Sequence, residues 1–283
     1  MPDSLESMSI AIEKALVAHN YRGMASVRPA LTPGYCLRAA RTLFDAKGVV
    51  LIGTGFPVAT PTAMTFETDG PLGAIALYQA LEAIGSTPYI VCGAPLSQAL
   101  KEQYRIVDLK LGKHDAQAQE ATDILDDLKP KVVLSIERPG QAEDGNYYNM
   151  RGENISAGAA CFDSLMNQAT CPTIAIGDGG NEIGMGNVTD ALQSLDIVAA
   201  TTKCDELLVA DVSNWGGYAL IAIMGRLTNK DLLAEFSPID VLQYLSTLGS
   251  VDGVTRLNQL TEDGQGIEVG DALILQLRQL SGF

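Results

Sequence analysis

The sequence predicts an α/β fold: a mostly parallel central sheet with helices on both faces and glycine-rich site loops at the strand C-terminal ends. Three observations predict it. Short apolar runs of strand length recur at residues 49–52, 87–91, 132–136 and 173–176. Amphipathic helical stretches separate them, and strand–helix alternation builds a parallel sheet covered on both faces. Several of the runs pass straight into glycine-rich turns that carry acids, where open α/β sheets place their ligands.

Composition bounds the rest. A chain of 283 residues with 47% hydrophobic content can bury a full core, as one large domain or two intimate ones. No linker, repeat or low-complexity tract appears, so residues 1–283 read as a single domain, with lobes at about 1–150 and 151–283. The formal charge is −15 and the pI is near 4.4. No basic cluster interrupts this acidity, which argues against nucleic acid and against anionic membrane surfaces as partners. The same acidity readily accommodates a cationic metal. Five scattered cysteines (Cys36, Cys92, Cys161, Cys171, Cys204), with no C-x-x-C pair, read as buried thiols in a reducing compartment. Residues 1–18 carry acids and no long apolar stretch, so a signal peptide is not expected. No window approaches the roughly eighteen apolar residues of a membrane span. The expectation is a cytoplasmic soluble protein.

The elements follow in order. Ile10, Lys14 and Val17 space a first helix that ends near His19, and Pro33 opens a second that stops at Gly48. Arg22, Arg28, Arg38 and Arg41 make this the least acidic part of the chain. They read as solvated helix faces, or as an arm on a neighbouring subunit that leaves a homo-oligomer open. Strand 48–52 runs into Gly53-Thr54-Gly55-Phe56-Pro57. This G-x-G lacks the third glycine of a dinucleotide fingerprint, and Pro57 stands where the helix should open. The loop can still form a backbone nest for a carboxylate or phosphate.

In Phe66-Glu67-Thr68-Asp69-Gly70-Pro71, Asp69 or Gly70 is placed to cap a helix with Pro71 in its first turn. Capping accounts for Asp69, yet two acids at a helix mouth, beside N–H groups that attract anions, also suit a site. Further strands are expected at 87–91, 104–109 and 132–136, with helices at 96–103 and 114–128. His19 and His114 both fall on helical segments away from the glycine loops, and neither is assigned as a base. Residues 135–152 form a long loop, and long loops in compact domains tend to be functional. Glu137 and Arg138 lie at its strand end, where Asp144, Tyr147, Tyr148 and Arg151 can fold over them. A helix over 155–169 leads to strand 173–176.

The stretch Gly177-Asp178-Gly179-Gly180-Asn181-Glu182-Ile183-Gly184-Met185-Gly186-Asn187 is the centre of the chain. Its glycines permit positive φ and close approach, and Asp178 and Glu182 put two carboxylates into the loop. Beyond it come a helical stretch at 188–195 and strand 206–210 ending in Asp211, with Ser213-Asn214-Trp215-Gly216-Gly217 behind it. Helices are expected at 218–227, 238–248 and 271–280. An Asp-Gly turn at 249–255 is placed to reach the site.

Six motifs in this order resemble the D-glutamate cyclase family. They are Gly-Thr-Gly-Phe-Pro at 53–57, Thr-Asp-Gly-Pro-Leu-Gly-Ala at 68–74 and Ser-Ile-Glu-Arg-Pro-Gly at 135–140. With them stand Tyr-Tyr-Asn-Met-Arg-Gly at 147–152, Gly-Asp-Gly-Gly-Asn-Glu-Ile-Gly-Met-Gly at 177–186 and Val-Asp-Gly-Val-Thr at 251–255. The resemblance is to the cyclase-like C-terminal domain and covers essentially the whole chain. It implies a hydro-lyase that dehydrates D-glutamate, a small acidic amino acid, to 5-oxo-D-proline with a divalent metal, Mn²⁺ or else Mg²⁺.

That chemistry sets three obstacles: a protonated amine, a poorly electrophilic carboxylate and a poor leaving group. A divalent cation on the γ-carboxylate answers the second and steadies the departing oxygen. Hard cations take oxygen ligands, which Glu137, Asp144, Asp178 and Glu182 can supply. Asp69 is either a further ligand or the base for the ammonium proton, and crowding among acids poises one of them, such as Glu182, for proton transfer. Arg138 or Arg151 would fix the α-carboxylate, with Gly53, Thr54, Gly55, Tyr147 and Asn181 lining the substrate. Two other classes compete. A haloacid-dehalogenase-type phosphohydrolase would use loops resembling 66–72 and 177–182, although Glu67 stands where its nucleophilic Asp belongs and residues 61–64 make a poor buried strand. A metal-dependent binding protein for an acidic metabolite would bind without turnover.

Overall fold

The computed structural model describes residues 4–61, 63–113 and 115–283; His114, expected on a helix, lies outside them. In chain order the strands are Val49–Gly53 (β1), Pro57–Ala59 (β2), Met64–Phe66 (β3), Thr87–Gly93 (β4) and Ile106–Leu109 (β5). Then come Val132–Ile136 (β6), Thr173–Gly177 (β7), Glu206–Val209 (β8), Thr261–Glu262 (β9) and Gln265–Gly266 (β10). The helices are Leu5–Ala15 (α1), Met24–Val27 (α2), Tyr35–Asp45 (α3), Pro71–Ala83 (α4), Leu96–Leu100 (α5) and Gln117–Leu128 (α6). They continue with Asp163–Gln168 (α7), Thr189–Leu192 (α8), Ser213–Thr228 (α9), Pro238–Thr247 (α10) and Ile267–Ser281 (α11).

Six strands pair in parallel in the order β5-β4-β1-β6-β7-β8. Apart from Ser135 and Thr173, the buried residues of β1, β6 and β7 are apolar on both faces, as a sheet covered on both sides requires. The chain order reverses between β1 and β6, which are direct neighbours with Gly53 opposite Ser135. That reversal opens a crevice beyond the strand C-termini. The β1→β4 and β6→β7 connections run in opposite directions along the sheet, so right-handed crossovers put α4 and α7 on opposite faces. α4 packs on α9, which also meets α3 and α11, while α6 packs with α7. No helix among the described residues is long and apolar enough to cross a membrane.

Three differences from the sequence reading have identifiable causes. The helix expected to start at 218 starts five residues earlier, so that 213–217 form the first part of α9. Its glycines serve packing: a Cβ at Gly73 would lie 2.9 Å from the Asn214 Cα, and one at Gly217 would sit 3.4 Å from the Gly73 carbonyl. The helix expected over 155–169 shrinks to α7. Its first half is held elsewhere: Asn154 Oδ1 accepts from the Ser156 N–H (3.0 Å), Gly112 N–H donates to the Ala159 carbonyl (2.8 Å), and Arg138 takes the Ala160 carbonyl. Pro57–Ala59 and Met64–Phe66, for which no strand was expected, pair as the antiparallel β2–β3 hairpin, with Pro57 opposite Phe66. It extends beyond the end of β1 and walls one side of the crevice.

Candidate active site

Three acids meet in the crevice. Glu137 follows β6, Asp178 follows β7, and Asp69 stands just before α4. All three are buried, and each offers an oxygen within 4.8 Å of the others. Glu137 holds a left-handed backbone at φ 44°, a conformation that costs a non-glycine residue on the order of 1–3 kcal/mol. Its Oε2 accepts from the Ser213 hydroxyl at 2.6 Å. Gly70, at φ 89°, leaves room for it: a Cβ there would come within 2.8 Å of both Glu137 Cβ and Thr54 Oγ1.

Asp69 accepts from Gly70 N–H (2.9 Å) at the start of α4, but its main capping role is on another helix. Its Oδ2 accepts from Ser213 N–H (3.0 Å) and its Oδ1 from Asn214 N–H (2.8 Å), the first amides of α9. Asn214 returns the interaction: its Oδ1 accepts from Gly70 N–H (2.8 Å) and Gly73 N–H (2.7 Å) at the start of α4. Two helix N-termini, each with partial positive charge, therefore converge behind the acids.

Arg22 supplies the cation. The loop after α1 is tied down by Asp211, whose Oδ2 accepts from the His19 N–H at 2.7 Å. The Arg22 guanidinium reaches from this loop to Asp178 (2.5 Å) and to Asp263 in the β9–β10 turn. Burial and neighbouring negative charge push Asp69, Glu137 and Glu67 well above the usual carboxylate range. Burial lifts Asp178 to about 6 against the opposing pull of Arg22. Asp263 rises to about 7 through burial and the Asp178 charge.

This cluster fits a divalent cation. Asp178 Oδ2 is buried without a hydrogen-bond partner, and an orphaned buried carboxylate oxygen is costly unless something positive meets it. The donor set is all oxygen, as hard cations prefer. Glu137, Glu67, Asp263 and Arg22 face a cavity of about 660 Å³. The Glu67 carboxylate makes no hydrogen bond or ion pair among the described residues. Phe56, Val58, Met64, Met150 and Val254 form apolar walls, and the more exposed Arg151 and Arg256 stand toward the mouth.

The residues expected at the site divide accordingly. Asp69, Glu137 and Asp178 are brought together. Glu182 lies beside them but spends its carboxylate on its own loop: Oε1 accepts from Gly179 N–H (2.8 Å) and Oε2 from Gly180 N–H (2.7 Å). That clamp shapes the glycine turn that presents Asp178. Asp144 is not brought to the cluster. It is exposed, and its oxygens accept from Asn146 and the Tyr148 hydroxyl, which hold its carboxyl down at about 2.

Arg138 is buried against Phe162 and donates to the carbonyls of Thr54 (2.6 Å) and Ala160, so it ties loops together instead of presenting a free fork. Tyr147 is likewise committed, donating to Asp163 at 2.7 Å. Gly53, Thr54 and Gly55 lie behind the cavity wall. The Thr54 N–H donates to the Val91 carbonyl (3.2 Å), and Phe162 occupies the space beside Gly53. Arg151 and Asn181 do line the cavity. The 249–255 turn reaches it through Gly253 and Val254. Sequence reasoning missed Asp263 and the role of Arg22. Arg22 was visible only as a basic residue in an acidic chain, and Asp263 carried no signal at all.

The family described as D-glutamate cyclase-like, C-terminal, matches residues 12–278. The human protein named D-glutamate cyclase, mitochondrial, is 36% identical over 207 residues, which are 65% of this chain and 33% of that protein. The chain thus spans about a third of that relative's length. Among solved structures, an exopolyphosphatase-related protein from Bacteroides fragilis aligns over 89% of this chain and 58% of its own, at 10% identity and TM-score 0.44. The C-terminal domain of a coenzyme A biosynthesis bifunctional protein covers 60% and 80%, at 12% identity and TM-score 0.33. Neither likeness is close enough to bear on function. The family match takes in β1 through most of α11, and with them every acid gathered at the crevice: the chain belongs to the family described as D-glutamate cyclase-like, C-terminal.

Proposed function

We propose that this chain is a hydro-lyase that cyclises D-glutamate to 5-oxo-D-proline with a divalent cation, Mn²⁺ or Mg²⁺, held by Asp69, Glu137 and Asp178. The observation that carries the reading is the buried Asp69–Glu137–Asp178 cluster with a bare Asp178 oxygen beside a cavity of about 660 Å³. A cation bound there supplies Lewis acidity toward the γ-carboxyl and charge for the departing oxygen. The remaining work falls to side chains. Arg151, which makes no ion pair among the described residues and donates to the Val254 carbonyl at 3.3 Å, binds the α-carboxylate. Glu67, without a partner of its own, receives the ammonium group and its proton. Arg22 keeps Asp178 and Asp263 in place. Walls that fold the substrate toward a five-membered ring convert the attack into a proximity-assisted step, worth up to about 7–11 kcal/mol in favourable cases.

The phosphohydrolase alternative loses ground on the fold. Its expected nucleophile loop, 66–72, follows the β2–β3 hairpin and not a strand of the central sheet. The test is direct. Purified protein with Mn²⁺ and D-glutamate should release 5-oxo-D-proline. Asp178→Asn should abolish turnover and weaken Mn²⁺ binding by calorimetry. An inert wild type that binds Mn²⁺ would leave the metal site and remove the reaction.

A further inference from the structure

The cavity is too large for the substrate named above. Glutamate has ten non-hydrogen atoms; allowing each even the roughly 30 Å³ of a liquid water, it fills at most roughly 300 Å³. The cavity measures about 660 Å³, so more than half of it stands beyond such a ligand. That remaining space has a definite chemistry. Apolar side chains make up much of its wall, namely Phe56, Val58, Met64, Met150, Ile155 and Val254, with Asn149 and Asn154 between them. Its mouth carries two guanidinium groups, Arg151 and Arg256; the second is ion-paired with Glu153 at 2.8 Å, which leaves Arg151 open to an anion. An extension that fits is therefore apolar along its length and anionic at its far end.

The chemistry of the reaction says where such an extension attaches. Ring closure uses the α-amine as nucleophile, and the γ-carboxylate gives up an oxygen. Both must be free. The α-carboxyl is the one functional group left to carry a substituent. Resting on the cyclase reading, we infer that the site takes a peptide with an N-terminal D-glutamyl residue followed by an apolar residue with a free C-terminal carboxylate. The γ-carboxylate goes to the acid cluster with its cation, the apolar side chain lies between Met64 and Met150, and the terminal carboxylate takes the Arg151 contact that the α-carboxylate makes in free D-glutamate. The step balances without a co-reactant. A C–N bond forms between the amine and the γ-carbon, one γ-C–O bond breaks, and the oxygen leaves as water with two protons from the ammonium. A peptide α-amine, with a pKa of about 7.7–8.0, is also more readily deprotonated than that of a zwitterionic amino acid.

The experiment compares D-glutamate with D-glutamyl-leucine, each with Mn²⁺ and wild-type protein, following loss of one water by mass spectrometry. The expected kcat/KM for the dipeptide exceeds that for D-glutamate by about tenfold or more, the scale at which a hydrophobic pocket discriminates. Ala157 is exposed and lines the cavity, so Ala157→Trp narrows it with little risk to folding. This change should lower the dipeptide-to-glutamate ratio by about tenfold. Turnover of D-glutamate with equal or poorer use of the dipeptide overturns the inference and leaves the cyclase reading standing. A ratio unmoved by Ala157→Trp places the extension outside this cavity and also overturns it. Failure with both compounds overturns the cyclase reading and the inference together.

Discussion

Arg22 and Asp178 show how much one buried pair carries. Asp178 spends one oxygen on Arg22 at 2.5 Å and keeps the other bare; Arg22 spends its second nitrogen on Asp263. Removing one partner of a buried pair leaves an uncompensated charge, which typically costs about 3–5 kcal/mol. Arg22→Met should therefore destabilise the protein by about that amount near neutral pH, as read from urea unfolding. Added Mn²⁺ should restore part of the loss, because a cation at Asp178 replaces the missing positive charge. Full stability in the variant without metal would mean that these acids do not depend on Arg22. The pair was illegible in the sequence because 156 residues separate its members, and 241 separate Arg22 from Asp263. Asp69, Glu137 and Asp178 were legible for the opposite reason: each stands where a strand ends or a helix begins. The same cue also suggested Arg138, and the long loop after β6 suggested Asp144. Nothing in a residue's type says whether its hydrogen-bonding capacity is already spent, on Tyr148 in one case and on the Thr54 carbonyl in the other.

Among the elements, α4 and α9 are joined by an exchange of caps. Asp69 precedes α4 and caps α9, while Asn214 in α9 caps α4. The crossing is close because Gly73 meets α9 where a side chain would not fit, with Gly217 in contact distance of its backbone. Loss of a cap generally costs about 0.5–2 kcal/mol. Asn214→Ala leaves the buried Gly73 N–H without its acceptor, while Gly70 N–H keeps Asp69 Oδ1 at 2.9 Å, so a loss of about 1–2 kcal/mol is expected in chemical denaturation. Asn214→Asp keeps the acceptor oxygen but adds charge beside Glu262, which Asn214 Nδ2 meets at 3.1 Å. That variant should also lose stability as pH rises. A neutral effect of Asn214→Ala would show the reciprocal caps to be incidental. From the sequence, Asp69 read as the cap of its own helix, since local spacing is all that capping patterns report.

At the scale of the whole molecule, a sheet order that reverses between β1 and β6 collects the acids over one crevice, and this sets a pH dependence. Asp178 and Asp263 are raised to about 6 and about 7 in the folded protein, against about 4 in an unfolded chain. Groups raised in this way favour folding while protonated, and that contribution is lost as pH climbs through the folded values. Without metal, the melting temperature should fall between about pH 4 and pH 7. Divalent cation acts in the other direction, since it binds the ionised acids, and its thermal shift should grow over the same interval. Thermal scans with EDTA and with Mn²⁺ across that range check both slopes; parallel curves would remove the cation from the cluster. The apolar runs and their alternation with helices already dictated a parallel α/β sheet, because burial on both faces demands a pattern that any such strand must carry. Which side chains face the crevice, which have spent their hydrogen bonds elsewhere, and which distant arginine balances the charge were set by packing. Those outcomes depend on contacts between segments hundreds of residues apart, and local periodicity holds no record of them.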